Sequence, residues 1–463
     1  MILILILGAC ATPPEPTVPA PDLPIIQPPR PEDPRESELV RLHLEAMDLR
    51  ERIGQRFMIF VPRGFGPSTL ALLTDVPETP ADTDGEAPGP LDEPDTLDAH
   101  DVLDSDVSDE PDESDEPDAP DVLDEQEGPD PEDPALAAAR DFLHTVDAGN
   151  PAGMIVYRWN YEDREDVVRL TDTLQKLAQR TQPGRRLLIS ADQEGGRVAA
   201  FRFPDIVRIP SQAVVARHED PEFVESLAYV TGRELAAMGL NMNLAPVLDL
   251  TPIPDASIIG DRAWGDNPDL ASLFAERYVR GMERAGVVST VKHFPGHGVT
   301  RVDSHGRLPI VSYTLEDLRG KELIPFAAAI AADVPVVMTA HILFPRIDPD
   351  FPVTISEFFL QDLLRREMGF DGVVISDGLE MGALAANFDL DTTLERAIRS
   401  GVDLILLYTR YELLDVIDRV EAMVRDGRVT PEQIDQGVER ILRLKYRYGL
   451  LEEPGEKDGG TAR

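Results

Sequence analysis

Val287-Val288-Ser289-Thr290-Val291-Lys292-His293-Phe294-Pro295-Gly296-His297-Gly298 begins as a β-branched apolar run and ends in charged and turn-forming residues. Its first half reads as a buried strand, and Pro295-Gly296 stops it. A lysine that closes a buried strand needs a polar destination. The same design recurs on both sides of this stretch. The run 186–191 leads into Asp192-Gln193-Glu194-Gly195-Gly196-Arg197, and 243–250 carries Asp249 at its end. The run 334–342 ends at His341, and 372–377 ends in Ser376-Asp377-Gly378. Three further β-rich runs lie at 56–61, 153–158 and 402–408, and helical periodicity separates the strands at 165–180, 221–238, 268–285, 315–332 and 356–368. Thr354-x-x-Glu357 and Thr430-x-x-Gln433 read as capping boxes, the second with Pro431 at the first helical position. Eight strand–helix units predict an α/β fold with a single (β/α)8 barrel of the TIM type, whose polar strand ends gather at one face.

Charge and composition narrow the possible partners. The 463 residues carry a net charge of −42. About 26 acidic side chains and no Lys or Arg lie in residues 75–134, which leaves roughly −16 on the rest. Low hydrophobicity, like charge and proline predict a disordered insertion there, between the first strand and the first helix. So acidic a surface repels nucleic acid, which is excluded as a partner. Cys10 is the one cysteine, so an intramolecular disulfide and a multi-cysteine zinc site are excluded as well. It follows the apolar run 1–7 in the order Leu7-Gly8-Ala9-Cys10, which resembles a bacterial lipoprotein signal, although no Lys or Arg precedes it. Export, with membrane contact only through a lipid anchor at Cys10, is the expectation. Residues 11–38 read as a Pro-rich tether, 39–451 as the folded body and 452–463 as a polar tail.

The stretches 192–198, 292–298 with Asp303-Ser304-His305, and Ile375-Ser376-Asp377 resemble the family 3 glycoside hydrolases, in particular their β-N-acetylglucosaminidase branch. The likeness covers residues 54–451 apart from the acidic insertion. It implies retaining hydrolysis of terminal β-N-acetylglucosamine from peptidoglycan fragments or chitin-like oligosaccharides, with a carbohydrate substrate and no cofactor. It implies Asp377 as the nucleophile that forms a covalent glycosyl-enzyme, and the pair Asp303 and His305 as acid/base. Asp192, Arg262, Lys292 and His293 match the family's sugar-binding positions. Ala200 stands where relatives usually carry a second substrate arginine; Arg202, on the same face of an extended segment, is the residue that could take over.

The chemistry can be argued beside the resemblance. Most glycosidases pair two carboxyl groups. Asp377, at the end of an apolar strand, has a rigid backbone and suits the nucleophile. For the acid, Asp303 and His305 lie two apart. In an extended loop their side chains point the same way, so the carboxylate favours a protonated imidazole. Asp249 reads equally as core support or substrate contact. His293, His297, Asp303 and His305 lie close in sequence, but Pro295-Gly296 prevents the helix that a His-x-x-x-His metal pair requires, so no metal is expected. Other readings are a β-glucosidase of the same family, whose relatives usually add a second α/β domain and lack the Asp-Ser-His loop; a phosphorylase on the same scaffold; and a sugar-binding lipoprotein without turnover.

Overall fold

The computed structural model describes residues 33–63, 65, 66, 69, 134–251, 258–298, 300, 303, 304, 306–408 and 410–455. Cys10 with its signal, most of the proline-rich tether, nearly all of the acidic segment and His305 lie outside the described residues. Eight parallel strands form one sheet: β1 (Phe57–Phe60), β2 (Gly153–Ile155), β3 (Leu188–Ala191), β4 (Met242–Asn243), β5 (Val288–Phe294), β6 (Val336–Thr339), β7 (Val373–Ile375) and β8 (Ile405–Leu407). Their spatial order is β8-β1-β2-β3-β4-β5-β6-β7, and the parallel bridge Ile375↔Leu404 brings β7 to β8, so the sheet closes on itself. All eight expected strands are present, as short barrel strands flanked by helices.

Strand alternation sorts the apolar side chains into two layers. Met58, Phe60, Ile155, Leu188, Met242, Val288, Val336, Met338, Val373, Ile375, Leu404 and Leu406 form one cluster, the filling of the barrel. Their neighbours Phe57, Ile59, Met154, Ile189, Val291, Val337, Val374 and Ile405 pack outward against the helices. Along β5 the inward positions run Val288, Thr290, Lys292, so the lysine continues the barrel interior upward to its C-terminal mouth. A helix opens the body. Asp33 caps Pro34–Ala46 by accepting from the Arg35 amide, and Leu39, Val40 and His43 are buried, so the folded body reaches back before residue 39. At the other end Glu452 donates its amide to the Gly184 carbonyl at 2.8 Å. No helix among the described residues is long and apolar enough to cross a membrane.

The helix signals divide. Thr430 and Gln433 form the expected capping box at the start of Pro431–Arg447. Thr354 does not cap: it lies in the short turn Val353–Ile355, the next helical segment starts at Phe358, and its hydroxyl is taken up by His341 and Thr339. Burial beside a histidine outcompetes the exposed local cap that the sequence suggests.

The seam between β7, β8 and β1 is closed at the N-terminal end by Asp403, which is buried. One carboxylate oxygen accepts from the Val374 amide at 2.8 Å and from Arg365 at 2.5 Å; the other accepts from Arg440 at 3.0 Å. Its carbonyl accepts from Arg56 Nε at 2.6 Å, and the Arg56 carbonyl accepts from the Ile405 amide at 2.7 Å. Burial pulls the fully enclosed Arg56 down to about 10, with Asp403 opposing that pull. Replacing Asp403 with Asn leaves the enclosed Arg365 and the half-buried Arg440 against a neutral amide. Equilibrium denaturation is therefore expected to show a loss of about 3 kcal/mol; a loss below about 1 kcal/mol would show that the seam does not depend on this carboxylate.

Candidate active site

The C-terminal strand ends converge as the alternation requires, and an ion network joins β3 to β5. Lys292 Nζ lies 2.6 Å from both Asp192 Oδ1 and Glu194 Oε1. Arg262, on the turn Gly260–Arg262, donates Nε and Nη2 to the two oxygens of Glu194, each at 2.7 Å. The Glu194 side chain has no exposed surface. Burial alone would push its carboxyl up, but Arg262 and then Lys292 hold it down to about 2. Burial likewise works against the Lys292 charge, and Asp192 and Glu194 overcome it, so its pKa lies above the ordinary lysine range. Asp192, Arg262 and Lys292 are thus together, as expected. Glu194 went unassigned in the sequence, although alternation from Asp192 puts the two on one side.

The second cluster organises the loop after β5. Asp249 is buried beneath it: Oδ2 accepts from His293 Nδ1 at 2.7 Å, and Oδ1 accepts from the amides of His293 (3.2 Å) and His297 (2.6 Å). Burial raises the Asp249 pKa, and the neighbouring histidines more than reverse that, so it stays below its ordinary value. An ionised acceptor requires the proton on Nδ1, which leaves His293 Nε2 as the edge available to a ligand. Of the two readings of Asp249, support is the one the contacts favour. Burial drives His297 down to about 4 against the opposing pull of Asp249, so it is neutral at pH 7. It lies 2.8 Å from Thr300 Oγ1 and 3.4 Å from Ser304 Oγ. The Asp303 carbonyl accepts from the amides of Gly306 and Arg307, so the chain turns after Asp303 instead of running extended, because these close backbone bonds replace strand geometry. The Ser304 carbonyl accepts from the Ala383 amide at 3.0 Å, which ties this loop to the segment after β7.

Asp377 follows β7 and is half-buried, with one oxygen accepting from the Gly378 amide at 2.8 Å. It does not cap the next helix, whose N-cap is Met381. The Gly378 carbonyl accepts from His341 Nε2 at 2.9 Å, and His341 Nδ1 accepts from the Thr354 hydroxyl at 2.7 Å, so partners on both ring nitrogens fix one tautomer. His341 therefore positions the turn that carries Asp377. Arg202 is exposed, and its guanidinium is spent on the carbonyls of Ala199, Gly196 and Arg197. The expectation that it replaces an arginine at Ala200 finds no support in these contacts, because nearby backbone carbonyls take up its guanidinium. Three strand ends went unread in the sequence: Phe60, Tyr157 and Tyr408, at β1, β2 and β8.

The model for the N-terminal domain of glycosyl hydrolase family 3 matches residues 132–444. A β-hexosaminidase of Pseudomonas aeruginosa is 36% identical over 272 residues, 58% of this chain and 78% of that protein. The β-hexosaminidase A of Pseudoalteromonas piscicida is 32% identical over 318 residues, 64% of this chain and 53% of its own length, so the chain spans about half of that relative. Among solved structures, a glycoside hydrolase family 3 β-N-acetylglucosaminidase from Paenibacillus sp. aligns with a TM-score of 0.65 at 38% identity, covering 70% of this chain and 62% of that one. Mycobacterium tuberculosis LpqI aligns with a TM-score of 0.60 at 30% identity, covering 65% of this chain and 88% of the other.

Glu194→Gln leaves the buried Lys292 and the half-buried Arg262 with one fewer counter-charge, and a cost of about 3 kcal/mol at pH 7 is expected. A carboxyl held at about 2 stabilises the fold fully above the unfolded value near 4.5 and loses that contribution as pH falls through about 2. Denaturation of both proteins from pH 7 to pH 2 should therefore show the gap closing below about 4.5; a gap independent of pH would mean that Glu194 is not held ionised by this network.

Proposed function

Because the chain belongs to glycosyl hydrolase family 3, we propose that it hydrolyses terminal, non-reducing β-linked N-acetylglucosamine by a two-step retaining displacement with Asp377 as the nucleophile. The half-buried Asp377 carboxylate at the end of β7 carries this reading. Asp192, after β3, is half-buried as well, so both carboxylates stand at C-terminal ends of barrel strands. In the first step a carboxylate oxygen of Asp377 bonds to the anomeric carbon as the bond to the aglycone oxygen breaks, and His305, oriented by Asp303, gives that oxygen its proton. In the second step water attacks the anomeric carbon, its proton passes to His305, and the ester bond to Asp377 breaks. Asp192, Lys292 and His293 Nε2 hold sugar hydroxyls; Arg262 sets Glu194 and with it the lysine. The names of relatives support the N-acetylglucosaminide. Peptidoglycan fragments and chitin-like oligomers both present that terminus, and a lipid anchor at Cys10 would place the enzyme where cell-wall fragments are released.

Hydrolysis of a chromogenic β-N-acetylglucosaminide, run with and without phosphate, tests the activity and separates hydrolysis from phosphorolysis. Asp377→Asn should lose well over tenfold in kcat, more than about 1.4 kcal/mol, and a fluorinated glycosyl fluoride should label Asp377 in the parent protein. A smaller loss, or a label elsewhere, removes the nucleophile assignment.

His305→Ala should slow substrates with poor leaving groups far more than activated aryl glycosides, which need little protonation. Equal losses on both would show that another group is the acid.

A further inference from the structure

The N-terminal end of the barrel, opposite the candidate active site, holds two enclosed cations joined by glutamines. Gln55 precedes β1, Gln182 and Arg185 precede β3, and Lys445 lies in the last helix, Pro431–Arg447. His43 comes from the opening helix, Pro34–Ala46. His43, Gln55, Gln182 and Lys445 are fully buried, and Arg185 is 2% exposed. Gln55 Nε2 donates to the Asn150 carbonyl at 2.7 Å and to Gln182 Oε1 at 2.8 Å, while its Oε1 accepts from Lys445 Nζ at 3.1 Å. The Arg185 amide in turn donates to the Gln182 carbonyl at 3.0 Å.

The donors of this cluster outnumber its acceptors. His43 Nε2 donates to the Glu452 carbonyl at 2.7 Å, which leaves Nδ1 to accept from Arg185 Nη1 at 3.4 Å. Burial pulls His43 down to about 4, in keeping with this neutral tautomer. The other edge of Arg185, Nε and Nη2, is buried and meets no acceptor among the described residues. That same edge elsewhere grips a carboxylate side-on, in Arg262 on Glu194 and in Arg319 on Glu367. Lys445 has one acceptor for three donors.

Charge is unbalanced as well. The charge of Glu51 acts on Arg185, but neither Arg185 nor Lys445 forms an ion pair among the described residues. Burial, and then the Arg185 charge, pulls Lys445 well below the ordinary lysine range. Water satisfies donors but leaves such a charge uncompensated, whereas an anion does both.

We propose that Arg185 and Lys445 form a binding site for a small monovalent anion, with the Nε–Nη2 edge of Arg185 as its fork. Two parallel donors on a planar group match a planar oxyanion such as nitrate, formate or bicarbonate better than a halide. Enclosure by the opening helix and the segment after Lys445 excludes larger ligands. The anion acts as a tie. The Leu450 amide donates to the Lys445 carbonyl at 2.7 Å, and the Arg186 amide to the Leu450 carbonyl at 2.9 Å, so the ligand holds the last helix, the chain end and β3 together.

Thermal unfolding of the full chain in the sodium salts of nitrate, formate, chloride and methanesulfonate, at equal ionic strength, tests this. Tm is expected to be about 4 °C higher in nitrate and formate than in the bulkier methanesulfonate. A chloride effect smaller than that of nitrate marks the ligand as an oxyanion, and one of equal size or larger marks it as a halide. Arg185→Met keeps an apolar stem and removes the fork, so its salts should differ by less than about 1 °C. Should that variant fail to fold, crystals of the parent protein soaked in bromide decide. An anomalous peak within hydrogen-bond distance of Arg185 Nε and Nη2 is expected, and water alone at that edge overturns the proposal. Equal Tm in all four salts overturns it too. A bromide peak without a salt-specific Tm is binding at crystal concentration only, and counts against the site.

Discussion

The buried carboxylate of Glu194 is the constraint on which the polar half of this molecule depends. Two cations, Lys292 and Arg262, reach it from different strands and loops at 2.6–2.7 Å, and none of its side chain meets solvent. Such an arrangement carries a large desolvation cost and survives only with complete pairing. Complete pairing fixes the end of β3 against the end of β5 and holds the Lys292 ammonium beside Asp192, where a ligand hydroxyl can replace part of its hydration. The interior of a barrel can enclose such a group because the hydrophobic filling below, from Val288 and Leu188 to Ile375, excludes water from beneath.

The same economy repeats around the mouth. Three of the groups with a proposed role are held by a second group: His293 by Asp249, the Asp377 turn by His341 and Tyr408, and Lys292 by Glu194. Asp249, His341 and Glu194 are buried. A retaining mechanism needs this rigidity, since the nucleophile must meet the anomeric carbon within a few tenths of an ångström in both steps.

Much of this was legible in the sequence. The eight strands could be read because each is a compact apolar run, five of them ending in polar or charged residues; Asp192, Lys292, His293 and Asp377 lie at those ends, and the family resemblance supplied their roles. The unread parts share one physical feature, a partner far away in the chain. Thr354 has the local pattern of a cap, yet its hydroxyl serves His341. Tyr408 looks like one more apolar strand residue until Gly378 and Phe60 are brought against it. Arg202 sits correctly for an extended segment, but the carbonyls of Gly196, Arg197 and Ala199 take its guanidinium. Local periodicity reports what a residue covers, whereas the choice among polar partners is made by the fold.

The most direct test of the central claim, retention through a covalent bond to the residue after β7, is the configuration of the sugar as it leaves. Proton NMR of the anomeric region during the first minutes of turnover, with enough enzyme to outrun mutarotation, distinguishes the two outcomes. Two displacements at one carbon predict that β-N-acetylglucosamine appears first and the α anomer only later, by mutarotation. Initial release of the α anomer would mean a single displacement by water, and Asp377 could then not be the nucleophile.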